Sequence, residues 1–255
     1  MFSPRFGDIN AEVILSALGH AFFTLSLGMG VMISYGSYLG REINLLRTAS
    51  VVVVMDTGIA LLAGLAIFPI VFANQLDPSQ GPGLIFITLP VAFGQMGGGL
   101  VIGVIFFSLL TFAALTSAMS LLEPVVELLE EKTPLNRAFS TIISGAVTWL
   151  LGIAALLSFN EWDSFKIFGL GIFDFLDTLT GKFMLPLAGL GVIIFVGWFM
   201  HRKIIREELH LGNTGELIWQ IVARFIAPIG VIIVFVSQLL ELLNYQLADI
   251  LAYFT

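Results

Sequence analysis

Six stretches of the chain are mainly apolar over about 20 residues or more, the length that an α-helix needs to cross a bilayer. They cover approximately residues 12–39, 49–74, 99–129, 138–158, 170–200 and 216–254. No connection between them is long enough for a soluble domain. The longest, 75–98, is rich in Pro and Gly around an apolar middle, which predicts a re-entrant helical hairpin. The pattern predicts one all-α membrane domain over residues 1–255.

Composition agrees with a chain that faces lipid. Hydrophobic residues make up 58% of the sequence and charged residues only 11%, whereas soluble domains carry about a quarter charged residues. The expected partner is therefore a lipid bilayer, and no nucleic acid is expected. The chain has no cysteine, which excludes disulfides, thiol nucleophiles and Cys-ligated metals.

The basic residues predict the orientation of the spans. With alternating spans, one side carries seven of them: Arg41, Arg47, Lys132, Arg137, Arg202, Lys203 and Arg206. The other side carries only Arg5 and Lys166. Because basic residues favour the cytoplasmic side, both chain ends are expected outside an inner (plasma) membrane. No signal peptide pattern precedes the first span, so we expect a missing N-terminal half with five further spans.

The first span has polar and small residues at its centre, in the order Phe23-Thr24-Leu25-Ser26-Leu27-Gly28-Met29-Gly30. One interpretation is ordinary helix packing, with Ser and Thr bonded back to their own helix. The other is a broken helix whose freed backbone groups bind an ion and a substrate. The residues alone leave both interpretations open.

Three segments together resemble the neurotransmitter:sodium symporter family. The segment GHAFFTLSLGMGVMISYGSYL resembles the sixth helix of that family, GPGLIFITLPVAF its fourth extracellular loop, and LTSAMSLLEPVVELLEE its eighth helix. The resemblance runs in order over nearly the whole chain, from helix six to helix eleven. It implies the second five-helix inverted repeat of the leucine-transporter-type fold plus one further helix, with the first helix unwound at its centre.

The resemblance implies a substrate site for an amino acid. Phe23 matches the aromatic lid, Thr24 a ligand of the first sodium that also contacts substrate, and Ser26 the unwound stretch. Met29 matches the wall of the side-chain pocket. On the eighth helix, Ser117 and Leu121 match further substrate-site positions.

Two sodium ions and no chloride are the implied cofactors. Thr24 and Asp56 match ligands of the first sodium, with Asp in place of the usual Asn. Ala113, Thr116 and Ser117 match the second sodium site and share one face of a helix. Chloride-dependent relatives place a Ser where this chain has Ala60, so the Asp56 carboxylate is expected to replace the anion.

Other acidic residues match the family's gates. Asp177, preferred to Asp174 by alignment, matches the outer gate, and Glu131 matches the cytoplasmic gate; both are also consistent with solvated carboxylates. Glu123 is a buried-carboxylate candidate whose partner the sequence does not identify.

The implied function is sodium-coupled symport of a neutral amino acid, bulky and hydrophobic or aromatic, by alternating access. This chain would supply the C-terminal half of the site. The alternative is an inactive or structural fragment without transport of its own. An enzyme is not expected, because the spans carry neither a His-Glu-x-x-His pair nor a Gly-x-Ser-x-Gly turn.

Overall fold

The computed structural model of the chain describes residues 6–40, 42–73 and 83–254, with side chains described for 6–10, 13–40, 42–73 and 83–240. Its regular structure is helical, as predicted. Arg5, Arg41 and positions 75–82 of the expected hairpin lie outside the described residues. In chain order the helices are α1 (Ala11–Thr24), α2 (Val31–Ser37), α3 (Leu45–Ala73), α4 (Leu89–Gln95), α5 (Gly99–Lys132), α6 (Arg137–Leu157), α7 (Ile172–Asp177), α8 (Leu185–Ile194), α9 (Arg202–Leu209), α10 (Asn213–Ile221) and α11 (Ala227–Phe254).

Several of these helices are joined by π-helical turns, in which each amide bonds five residues back. Because of these turns, two stretches that the sequence presents as single spans contain more than one helix. The π-helical turns are Leu84–Thr88, Thr178–Met184, Phe195–Phe199 and Val222–Ile226.

Within the described residues, five helical stretches are long and apolar enough to cross a membrane: Leu45–Ala73, Gly99–Lys132, Arg137–Leu157, Ile172–Phe199 and Asn213–Leu240. In the most apolar window of α3 and of α5, only 6% of residues are buried within the chain. Such exposed apolar helices need lipid or further protein around them. The remaining predicted span, 12–39, is divided between α1 and α2, and each piece alone is shorter than a bilayer crossing.

The described chain forms two compact units, and their boundaries fall within α3 and α5. The first unit comprises residues 49–120 and has its core where α4 meets its neighbours. Val71, Leu89 and Phe93 are buried there, with Phe106 and Phe107 packed against them. The described part of the predicted hairpin is therefore helical, and it lies against α3 and α5 of the same unit.

The second unit comprises residues 6–48 and 121–254, and its centre is α8 with α11 and α1 packed against it. The rings of Phe183 and Phe235 meet edge to face, with centroids 6.1 Å apart. Near the end of α8, Arg224 donates from Nε to the carbonyl of Gly197 at 2.6 Å, and its guanidinium lies over the Trp198 ring. These contacts hold α8 in place beside the gap between α1 and α2.

Candidate functional site

The chain leaves the helical path between α1 and α2. The amide of Leu27 donates to the carbonyl of Phe22, and the amide of Ser26 donates to that of Phe23, both at 3.0 Å. This pair of bonds around a left-handed residue is the Schellman motif that ends many helices. Here the left-handed residue is Ser26, with φ of 52°. A left-handed backbone costs a residue with a Cβ about 1–2 kcal/mol, so the break is maintained against local strain.

Two glycines continue the break, and neither can be replaced without strain. Gly28 and Gly30 have φ of 83° and 81°, which side chains with a Cβ rarely adopt. A Cβ at Gly28 would also lie 2.5 Å from the carbonyl oxygen of Leu185 on α8. A Cβ at Gly30 would lie 3.2 Å from Pro124 on α5. The turn is thus held by its own backbone and by the elements beside it.

The first-span residues that were predicted to contact substrate are brought together at this turn. Phe23 lies at the end of α1 and is 56% exposed. Thr24 is the last residue of α1, and its hydroxyl donates to the carbonyl of Ala21 at 3.5 Å. Ser26 and Met29 lie half-buried within the break. The arrangement gathers an aromatic face, a hydroxyl and irregular backbone within seven residues.

The positions matched to a second sodium lie on a continuous helix. Ala113, Thr116 and Ser117 are exposed on α5. The Thr116 hydroxyl donates to the carbonyls of Phe112 at 3.1 Å and of Ala113 at 3.0 Å. The hydroxyl of Thr116 and the carbonyl of Ala113 are therefore neighbours. Oxygen ligands of this kind suit a hard cation, so Ala113, Thr116 and Ser117 carry chemical groups that are suitable for binding sodium.

The other predicted positions are distributed over both units. Asp56 lies half-buried on α3 in the first unit, and Ala60 one turn later is exposed. Leu121, 43% exposed, belongs to the second unit. Asp177 ends α7 just before a π-helical turn, and Glu131 lies in the last turn of α5; both are exposed.

One polar cluster in the second unit was not predicted from the sequence. Glu123, whose partner was unidentified, accepts from the Tyr38 hydroxyl at 2.7 Å and is paired with Arg137. Glu127 lies 2.7 Å from the same hydroxyl, whose single proton the two carboxylates share, and accepts from the buried Ser34 at 2.6 Å. The Tyr38–Glu123 and Ser34–Glu127 bonds join the end of the first predicted span to α5. The four-residue spacing of Glu123, Glu127 and Glu131 places them along one side of α5 and was the available signal.

Nearly the whole chain matches one known protein family. Residues 1–253 match the model described as the sodium:neurotransmitter symporter family. The chain belongs to this family. The sodium:neurotransmitter symporters are transporters and not enzymes, so the exclusion of an enzyme is supported by the family as well as by the sequence.

Bacterial sodium-dependent transporters are similar to the chain over part of their length. An uncharacterized sodium-dependent transporter of Haemophilus influenzae is 38% identical over 239 residues, which are 92% of this chain and 52% of that protein. An uncharacterized sodium-dependent transporter of Bacillus subtilis is 37% identical, over 92% of this chain and 53% of its own length. The chain thus spans about half the length of these relatives.

A solved structure in the family has the same fold. The crystal structure of MhsT in complex with L-phenylalanine superposes with a TM-score of 0.83 and 42% sequence identity. The match covers 89% of this chain and 52% of that structure. The all-helical architecture is therefore that of this symporter over the matched half.

Proposed function

We propose that the chain supplies the C-terminal half of the binding sites of a sodium-coupled amino-acid symporter that works by alternating access. The observation that carries this proposal is the break between α1 and α2, in which Ser26 adopts a positive φ and Gly28 packs against α8. Irregular backbone within a membrane protein is tolerated where it lines a cavity or is buried in protein, and transporters use it to bind substrate and ions. In this proposal α1 and α2 are the two halves of one unwound span, which makes six spans in all.

The substrate is a neutral amino acid with a large hydrophobic or aromatic side chain. The positions assigned to its side-chain pocket are Phe23, Met29 and Leu121, which are all apolar. A charged side chain would be desolvated there without a partner. The 42% identity with MhsT, solved in complex with L-phenylalanine, supports an aromatic substrate. Ser26 and Ser117 are assigned further contacts with the substrate.

Two sodium ions drive the transport. Thr24 and Asp56 hold the first ion, and Ala113, Thr116 and Ser117 hold the second. The sodium-dependent relatives support the use of sodium. An ionised carboxylate at membrane depth is costly unless a cation or a proton accompanies it, and the first sodium is that cation for Asp56. The Asp56 carboxylate then supplies the negative charge that chloride supplies in chloride-dependent relatives.

The remaining half of each site comes from an N-terminal half of the transporter. The chain spans 52% of the Haemophilus influenzae relative, and the gate residues Asp177 and Glu131 pair with that half. In this arrangement the transporter lies in the inner (plasma) membrane, with both ends of this chain on the outer side. The same 52% also supports the alternative, a fragment that does not transport.

Uptake by an assembled transporter tests the proposal. The chain is joined to the N-terminal half encoded upstream of it, or to that of the Haemophilus influenzae relative where none is encoded, and reconstituted in vesicles. We expect a sodium gradient to drive accumulation of labelled L-phenylalanine, with no accumulation by this chain alone. Tryptophan, leucine and methionine should compete better than glycine, proline or glutamate. Absence of sodium-dependent uptake for all of these would contradict the proposal and favour the inactive fragment.

A further inference from the structure

Helix α8 touches the break at two points, one on each side of Ser26. After Ser26, Gly28 leaves room for the backbone of α8 because it has no Cβ. A Cβ at Gly28 would lie 2.5 Å from the carbonyl oxygen of Leu185 and 2.9 Å from the amide nitrogen of Gly189. Before Ser26, the ring of Phe22 occupies the space where a Cβ of Gly189 would be, with Cε1 2.5 Å and Cζ 2.9 Å from that point. One turn of α8 therefore holds both ends of the break.

The two contacts depend on glycine for different reasons. Gly28 needs glycine for its own backbone, because its φ is 83°. Gly189 is buried within the regular helix α8, where alanine is ordinarily the better helix former. What glycine contributes at position 189 is the absence of a side chain, which makes a notch for the Phe22 ring.

Phe22 links this notch to the candidate site. Its carbonyl accepts the Leu27 amide that closes the Schellman motif, and Phe23 and Thr24 follow it directly. A cavity of about 240 Å³ lies next to the ring and is lined in part by Phe22, Ser26, Gly28 and Gly189. A ring expelled from the notch therefore has space to enter, so the protein can fold while the turn that bears Phe23 and Thr24 shifts.

We propose that Gly189 is a positioning residue for the binding turn: its notch seats Phe22 and thereby sets the place of Phe23, Thr24 and Ser26 without touching substrate. The proposal rests on the proposed function only for the role of those three residues. It names a determinant of affinity on α8, a helix to which the sequence assigned no part of the site.

The first experiment uses the chain itself in lipid nanodiscs and needs no transport. Because the chain has no cysteine, Ser26→Cys provides a single thiol whose rate of maleimide labelling reports the exposure of the break. We expect Gly189→Ala to change this rate at least about fivefold, the size of effect typical of contacting residues. Gly191→Ala on the same helix should leave the rate unchanged, since nothing lies within 4 Å of a Cβ there.

A second substitution tests whether Gly189→Ala acts by displacing the Phe22 ring or by loosening the whole structure. Phe22→Leu removes the ring atoms nearest the notch, so adding it to Gly189→Ala should return the Ser26→Cys rate to that of Phe22→Leu alone. A second reporter, Ser144→Cys in the buried part of α6, should label equally slowly in all of these variants. If Gly189→Ala disrupts folding, the double variant decides: a folded double variant supports the notch, and an unfolded one overturns it.

The second experiment measures function in the assembled transporter with labelled L-phenylalanine as the probe. Gly189→Ala should raise KM about tenfold with little change in maximal rate, and Phe22→Leu should suppress the increase. An active transporter in which Gly189→Ala leaves both KM and the Ser26→Cys labelling rate unchanged overturns the positioning role alone. A transporter without any sodium-dependent uptake contradicts the proposed function instead, and the labelling experiment still decides the role of Gly189.

Discussion

The break between α1 and α2 and the oxygen-bearing face of α5 contain the same kinds of residue, yet the chain holds them in different ways. In the break, backbone hydrogen bonds, positive φ angles and contacts with α8 define the path of residues 22–30. On α5, Ala113, Thr116 and Ser117 lie exposed in an uninterrupted helix, and the Thr116 hydroxyl bonds back to its own helix.

A binding residue can thus be placed either by contacts within the chain or by the geometry of a regular helix. The break is formed by contacts within the chain, so a substitution there acts first on the structure and through it on binding. The α5 face is formed by helix geometry alone, so a substitution there should leave the structure intact and act on the ion. Variants matched for residue type test this division.

The largest expected effect is that of Gly28→Ala. The new Cβ would meet the Leu185 carbonyl at 2.5 Å, and the φ of 83° would be strained. Overpacking and a left-handed alanine together should destabilise the protein by about 3 kcal/mol. We expect poor folding yield, a lowered thermal midpoint in detergent and no uptake. Gly36→Ala in α2 is the control, because nothing lies within 4 Å of its Cβ; equal stability of the two variants would contradict the division.

The helical class and the family could be recognised from sequence, because they depend on local apolar runs and on segments that occur in a known order. The all-helical structure and the family match confirm both. The residues at the centre of the first span left both helix packing and a broken helix open, and it was the resemblance that implied an unwound centre. That Ser26 would take the left-handed conformation could not be read from the residues, because a residue with a Cβ disfavours it and the contacts at Gly28 and Gly30 lie on α8 and α5, far away in the sequence.

The contacts of Glu123 were not predictable for a different reason. Its partners Tyr38 and Arg137 are 85 and 14 residues away in the chain. Periodicity locates residues on a helix but does not say which helix lies opposite. The notch at Gly189 was missed likewise, since a glycine in an apolar helix has many explanations until the Phe22 ring is seen within it.

A smaller but more specific effect is expected for Thr116→Val. The change removes the hydroxyl while keeping the shape and a similar helix propensity. The free energy of unfolding should change by less than about 0.5 kcal/mol. If Thr116 is a ligand, half-maximal uptake should need about tenfold more sodium, because losing one polar group that faces a charge typically costs about 1.5 kcal/mol or more. Thr111→Val is the matched control, because its hydroxyl also bonds back to α5, at 2.7 Å from the Phe107 carbonyl. Equal sodium dependence of both variants would exclude Thr116 as a ligand.

The carboxylate of Asp56 on α3 should determine whether uptake needs chloride. If Asp56 replaces chloride, uptake in chloride and in gluconate should agree within about twofold, because opposite charges a few ångströms apart in low dielectric attract by several kcal/mol. Asp56→Asn combined with Ala60→Ser should then make uptake several-fold weaker in gluconate than in chloride. Ala60→Ser alone keeps the carboxylate and should remain independent of chloride. A strong loss of uptake in gluconate by the unmodified transporter would refute this role of Asp56.

The smallest expected effect has a sign that tests the break itself. Ser26 has φ of 52°, and glycine adopts such angles without the steric penalty of a Cβ. Ser26→Gly should therefore stabilise the protein by about 1 kcal/mol and raise its thermal midpoint by a few degrees.

Were residues 11–37 one continuous helix in the membrane, the same substitution would destabilise it by about 0.5 kcal/mol. Ser16→Gly, in the regular part of α1, should destabilise the protein by a similar amount and serves as the reference. Affinity for L-phenylalanine should fall in Ser26→Gly despite the gain in stability, since a freer backbone must be ordered on binding. A thermal midpoint that falls as far as in Ser16→Gly would mean that the break is not the structure that the membrane-embedded chain adopts.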